Sequence, residues 1–68
     1  MAERLANRLK ERRAELGLTQ AELAERVGVT RKTVNTVENG VFTPSATLAI
    51  KLAKALGLSV EKLFWIDR

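Results

Sequence analysis

The chain has 68 residues, a formal net charge of +4, 46% apolar residues, and neither Cys nor His. This length makes a single domain, residues 1–68, that buries a modest share of its surface; without Cys or His it has no disulfide framework, no thiolate or imidazole metal site and not the commonest general base. With no apolar run as long as a membrane span and no signal-peptide core, a soluble cytoplasmic protein is expected, with no metal, no cofactor and no small-molecule ligand, and its basic charge suits a polyanionic partner.

Residues 8–16, RLKERRAEL, read as a first helix, with Leu5, Leu9 and Leu16 near one face. Asn7 has N-cap chemistry, yet residues 2–6 are also good helix formers, which leaves them open between helix and strand. Gly17 ends this helix as a left-handed cap, and Leu18 packs back onto its last turn. Thr19 opens the second helix, with Glu22 at the capping-box spacing and Leu23, Ala24 and Val27 as its buried stripe. Gly28 allows an abrupt change of direction, because a residue without Cβ adopts left-handed backbone at no steric cost. Val29 plugs the angle.

Thr30 caps the third helix, TRKTVNTVEN, whose only apolar positions are Val34 and Val37; Asn39-Gly40 stops it. Residues 41–44 form a loop in which Pro44 biases Thr43 to extended backbone. Thr43 or Ser45 caps the fourth helix, whose apolar face is Leu48, Ala49, Leu52, Ala53 and Leu56, with Lys51 and Lys54 outward and Gly57 at its end. Ser59 opens a fifth short helix, SVEKLF, and the final FWIDR is β-prone. The expected fold is all-α, five helices joined by short turns, with room for a short β-strand at the C-terminus and at the N-terminus.

The third helix carries the functional signal. A stripe of two Val residues leaves Thr30, Arg31, Lys32, Thr33, Asn35 and Thr36 on an outer surface of their own. These types match the donors, acceptors and methyl groups that read base edges in a major groove. No acidic residue falls in residues 27–37 to repel phosphate. The competing reading is a solvated helix face, but the Gly turn and the two Thr caps set paired helices at a DNA reader's angle.

TQAELAERVGVTRKTVNTVENG resembles the helix-turn-helix core of the Cro/C1 (Xre-type) regulators, and TPSATLAIKLAKALGLSVEKLF matches the rest of their five-helix, lambda-repressor-like domain. The likeness spans residues 7–64 and is closest to short, single-domain members. It implies a sequence-specific transcriptional regulator of double-stranded DNA, a repressor, with its helix-turn-helix at about residues 19–38 and recognition helix 30–38. Gln20 falls on the family Gln that bridges a phosphate and the recognition helix. Arg31, Lys32 and Thr36 fall on base-contacting positions, with Asn35 beside them. Thr30 and Thr33 are assigned to phosphate, as is Asn39, at a position whose main chain meets phosphate in the family. Arg13 and Glu38 match an internal ion pair joining the first and third helices.

Phage repressors commonly carry Gln at the first recognition positions, where this chain has Arg31 and Lys32, so no operator sequence is carried over and Arg31 is expected to favour guanine. One domain reads too few base pairs to specify a site in a genome. A homodimer is therefore expected, through the apolar tail Phe64, Trp65 and Ile66. The alternative has Phe64 completing the core and Trp65 lying as a lid on a monomer. Arg4, Arg8, Lys10 and Arg12 read by default as a solvated face, with phosphate contact by one or two of them left open. An enzyme is not expected: Ser45 and Ser59 read as caps, and there is no Gly-rich phosphate loop. An antitoxin, or a protein- or RNA-interaction module on the same fold, remains as an alternative function.

Overall fold

Three hydroxyls start three helices. Thr19, Thr30 and Ser45 hold extended backbone and accept a hydrogen bond from the main-chain N–H of Glu22, Thr33 and Leu48, respectively. They open α2 (Gln20–Val27), α3 (Arg31–Glu38) and α4 (Ala46–Ala55) in a computed structural model that describes residues 3–67. Ser45, not Thr43, caps α4. Glu22 completes a capping box by accepting from the Thr19 N–H at 2.9 Å. α1 (Leu9–Glu15) and α5 (Val60–Leu63) complete the helices.

The stops are equally local. At the end of α2, Gly28 takes left-handed backbone (φ 76°, ψ 34°). Its N–H reaches the Glu25 carbonyl at 3.3 Å and that of Val29 reaches Ala24 at 3.0 Å. This paired closure satisfies carbonyls that a helix end leaves open, and it recurs at Gly17, Gly40 and Gly57.

The N-terminal segment departs from a helix. β1 (Arg4–Asn7) pairs antiparallel with β2 (Phe64–Asp67), Leu5 opposite Ile66 and Asn7 opposite Phe64. The helix-forming residues 4–6 are thus recruited into a ladder by a partner strand sixty residues away; Ala2, included in the same open question, lies outside the described residues. Leu5 consequently belongs to β1 and packs on the core from there. Leu16, expected on the buried face of the first helix, is 43% exposed because the helix has already ended. The fifth helix stops at Leu63, and Phe64 is extended (φ −126°, ψ 144°). Ser59 precedes it without a side-chain capping bond.

Leu9, Leu23, Val34, Val37, Leu52, Leu56 and Leu63 are fully buried, and each contributes roughly 1.5–3 kcal/mol relative to exposure. Val29 packs at the rim of this core, in the angle between α2 and α3. None of the described helices is long and apolar enough to cross a membrane.

Candidate nucleic-acid interface

α3 buries Val34 and Val37, each 1% exposed, and presents Arg31, Lys32 and Asn35 to solvent, with Thr33 and Thr36 half-buried at the edges. The three-residue spacing of the two Val residues produces this division, since positions three apart share a helix face. Thr30 fixes the start of the helix. Its hydroxyl oxygen accepts the Thr33 N–H at 3.2 Å and lies 3.0 Å from the Thr33 hydroxyl.

Several expected contact groups have a first obligation inside the helix. The Thr36 hydroxyl donates to the Thr33 carbonyl at 3.0 Å. Thr36 therefore keeps an acceptor lone pair and a methyl group for a base edge, not its hydrogen. The main-chain N–H of Asn39, expected at a phosphate, closes the last turn onto the Asn35 carbonyl at 3.1 Å. The Asn39 amide also donates to that carbonyl, at 2.9 Å, and its second hydrogen is what it retains for an external acceptor.

Behind the reading face, Glu38 accepts hydrogen bonds from Arg13 Nε at 2.6 Å, Arg13 Nη2 at 3.3 Å and Gln20 Nε2 at 3.0 Å. The side chains of Glu38 and Arg13 are 2% and 14% exposed. Arg13 Nη1 donates to the Leu18 carbonyl at 2.7 Å. One carboxylate thus joins α1, α2 and α3. Its charge is matched by a forked guanidinium and stays hidden from anything approaching α3. Gln20, the first residue of α2, is held beside α3 by the same carboxylate.

The tail divides. Phe64, expected in a dimer contact, is 6% exposed and belongs to the monomer's core. Trp65 and Ile66 are 42% and 54% exposed. Arg8, expected on a solvated face, lies over the Trp65 ring at 5.5 Å from its centroid. Ile66 borders a groove with Leu5, Phe42, Pro44 and Phe64 that reaches Asn39 and Gly40 at the end of α3.

Two polar groups carry more than their sequence signal. Asn7 does not cap the first helix in the ordinary sense, as Arg8 is at that position; its Oδ1 accepts the Leu9 N–H at 3.0 Å while its Nδ2 donates to the Val37 carbonyl at 3.0 Å. Arg12 Nε donates to the Leu56 carbonyl at 2.9 Å, at the end of α4. Neither long-range bond has a local signature in the sequence.

Comparison with known proteins agrees with this geometry. A helix-turn-helix family model matches residues 9–63. An HTH-type transcriptional regulator of Methanothermobacter thermautotrophicus is 53% identical over 60 residues, 87% of each chain. Antitoxin HigA-1 of Vibrio cholerae is 49% identical over 76% of this chain and 47% of its own length. Among solved structures, the restriction-modification controller protein C.AhdI from Aeromonas hydrophila superposes with a TM-score of 0.79 at 40% identity, covering 84% of this chain and 86% of that one. The P22 c2 repressor, solved in complex with a synthetic operator, gives 0.77 at 31% identity over 79% and 82%. The chain belongs to the helix-turn-helix family of Cro/C1 (Xre) type, a family of DNA-binding transcriptional regulators and not of enzymes.

Proposed function

We propose that the protein is a repressor that binds a palindromic operator as a homodimer, with α3 in the major groove. The observation that carries this reading is the outer face of α3: three exposed polar side chains on a helix anchored by two Val residues and backed by a neutralised Glu38. Arg31 is assigned to guanine O6 and N7, Asn35 to adenine, Lys32 to a second guanine, and Thr36 to a base donor or a thymine methyl. Gln20, Thr30, Thr33 and Asn39 flank this face and are assigned to phosphate, which positions the helix without reading sequence. The second copy is assigned to Trp65 and Ile66, half-exposed on opposite faces of β2, with Ile66 bordering the groove at the C-terminal end of α3. That reading requires a dyad that sets the two recognition helices about one helical turn of DNA, ~34 Å, apart.

Selection of bound duplexes from a random pool tests this directly. The expected result is a palindrome with half-sites about one turn apart and a guanine whose selection disappears in Arg31→Ala. Recovery of single half-sites without symmetry would remove the dimeric reading. Absence of any enriched sequence would remove sequence-specific regulation altogether. The likeness to HigA-1 supports a second reading, in which the same domain also holds a toxin; co-purification with the product of the adjacent gene separates the two.

A further inference from the structure

We propose that Asn7 is a positioning residue for DNA reading, tethering the C-terminal end of α3 to the terminal sheet. The proposal rests on the reading of α3 as the recognition helix. Asn7 is the last residue of β1 and stands opposite Phe64 of β2. Its side chain is half-buried and joins two helix ends: Oδ1 accepts from the first N–H of α1, at Leu9, and Nδ2 donates to the Val37 carbonyl of α3, thirty residues on. These partners fix the amide's orientation. Reversed, it would set N–H against N–H and oxygen against oxygen.

The Val37 carbonyl is among the last of α3, which a helix leaves without an intrahelical donor. Gly40 supplies one donor at 3.1 Å, and Asn7 supplies the other. The end of the recognition helix is thus capped by a side chain from the N-terminal strand. This has leverage because α3 is short, about 12 Å for eight residues, and sits on the core through only Val34 and Val37. Thr30 sets its start, and the Glu38 carboxylate sets its inner face. Asn7 adds a hydrogen bond from β1 at the C-terminal end, where the buried Val37 and the Glu38 ion pair hold the inner side of the helix and the Val37 carbonyl marks the edge that turns towards the terminal sheet. Base-reading contacts need placement within about 0.5 Å, so this bond matters to discrimination. The same strand pair carries Trp65 and Ile66 one and two residues after Phe64. The tether therefore links the proposed contact between copies to the recognition helix of each copy.

The test separates the two bonds. Asn7→Ser keeps an oxygen next to the Leu9 N–H but is too short to reach Val37. Asn7→Asp keeps that acceptor and sets a second oxygen against the Val37 carbonyl. In both variants the ratio of affinity for the selected operator to affinity for random duplex, at matched salt, falls about 5- to 10-fold, the scale of one lost hydrogen bond. Amide exchange at Gly40 and Val41, read without DNA, accelerates relative to α4. A ratio within twofold of wild type in either folded variant overturns the proposal, and so does unchanged exchange at Gly40 and Val41. A wild-type protein that selects no operator overturns the DNA-reading role at its foundation, while the exchange measurement still reports the tether, so the two failures are distinguishable.

Discussion

Replacing Arg13 with Met tests the assignment of Arg13 and Glu38 as the internal link behind the reading face. The Glu38 carboxylate, 2% exposed, has three donors, two of them from Arg13. The substitution removes the counter-charge and two of these bonds, leaving a buried carboxylate with only the Gln20 amide. Breaking a buried pair from one side costs about 3–5 kcal/mol. The Leu18 carbonyl also loses its 2.7 Å donor, adding about 1 kcal/mol. A domain of this length holds roughly 3–10 kcal/mol in total, so Arg13→Met is expected to lose about half of its stability or more at 25 °C. Urea denaturation followed by helical circular dichroism, at fixed pH and salt, measures the loss. The double variant Arg13→Met with Glu38→Leu is expected to recover most of it, because an apolar pair of similar volume often replaces a buried ion pair without cost. The recovered protein still lacks the anchor that holds Gln20 beside α3, so its operator affinity stays low. A single-variant cost below about 1 kcal/mol, as for an exposed pair, would refute the reasoning, as would a double variant no more stable than the single.

Arg31→Ala is expected to flatten base preference at one position of each half-site, by about 1–3 kcal/mol of discrimination; a binding-site matrix identical to wild type would contradict the assignment. Ile66→Asp is expected to lower the sedimentation mass towards that of a single chain while leaving the fold intact, since Ile66 is already half-exposed; an unchanged mass counts against Ile66 as a contact. Gly28→Ala meets no atom within 4 Å of the new Cβ, so its cost is the left-handed backbone alone, about 1–2 kcal/mol in thermal or urea unfolding. The Thr19 main-chain N–H, then its hydroxyl, hold the Glu22 carboxyl below its usual value. Such a group stabilises the fold above its unfolded-state value, and the contribution is lost as pH falls through the folded one. Glu22→Gln is therefore expected to flatten the acid side of the stability–pH curve, and superimposable acid limbs would show that the box does not contribute.

The parts of this molecule that are legible in its sequence are those written locally. Thr19 with Glu22, Thr30 before a two-Val stripe, and a Gly after each of the first four helices each specify a boundary within a few residues. The outer face of α3 follows as directly, because Val34 and Val37 leave Arg31, Lys32 and Asn35 nowhere else to point. The strand β1 is not written this way. RLAN is helix-prone by propensity, and only its pairing with residues 64–67 makes it extended. For the same reason Leu5 and Leu16 fall on a predicted helix face that does not exist. At the site, the internal obligations of Thr36 and Asn39 depend on side-chain rotamers that no spacing rule supplies.

Apart from the Arg13–Glu38 pair, the residues hardest to read are those that tie the domain together. With no Cys for a disulfide and no Cys or His for a thiolate or imidazole metal site, these 68 residues are linked by other means. Arg12 reaches the Leu56 carbonyl at the end of α4, Arg13 reaches Glu38 and the Leu18 carbonyl, Arg8 covers Trp65, and Asn7 holds Val37. Two of these four, Arg8 and Arg12, are basic residues that the sequence places by default on a solvated face. Arg12 is held by the Leu56 carbonyl and by Glu15, while Arg8 stays exposed and lies against the Trp65 ring. A net charge of +4 does not say which face of the domain carries the cations that meet DNA. Under the proposed assignment Arg31 and Lys32 are the basic residues exposed on the outer face of α3, so truncating either one is expected to weaken operator binding more than truncating Arg8 or Arg12.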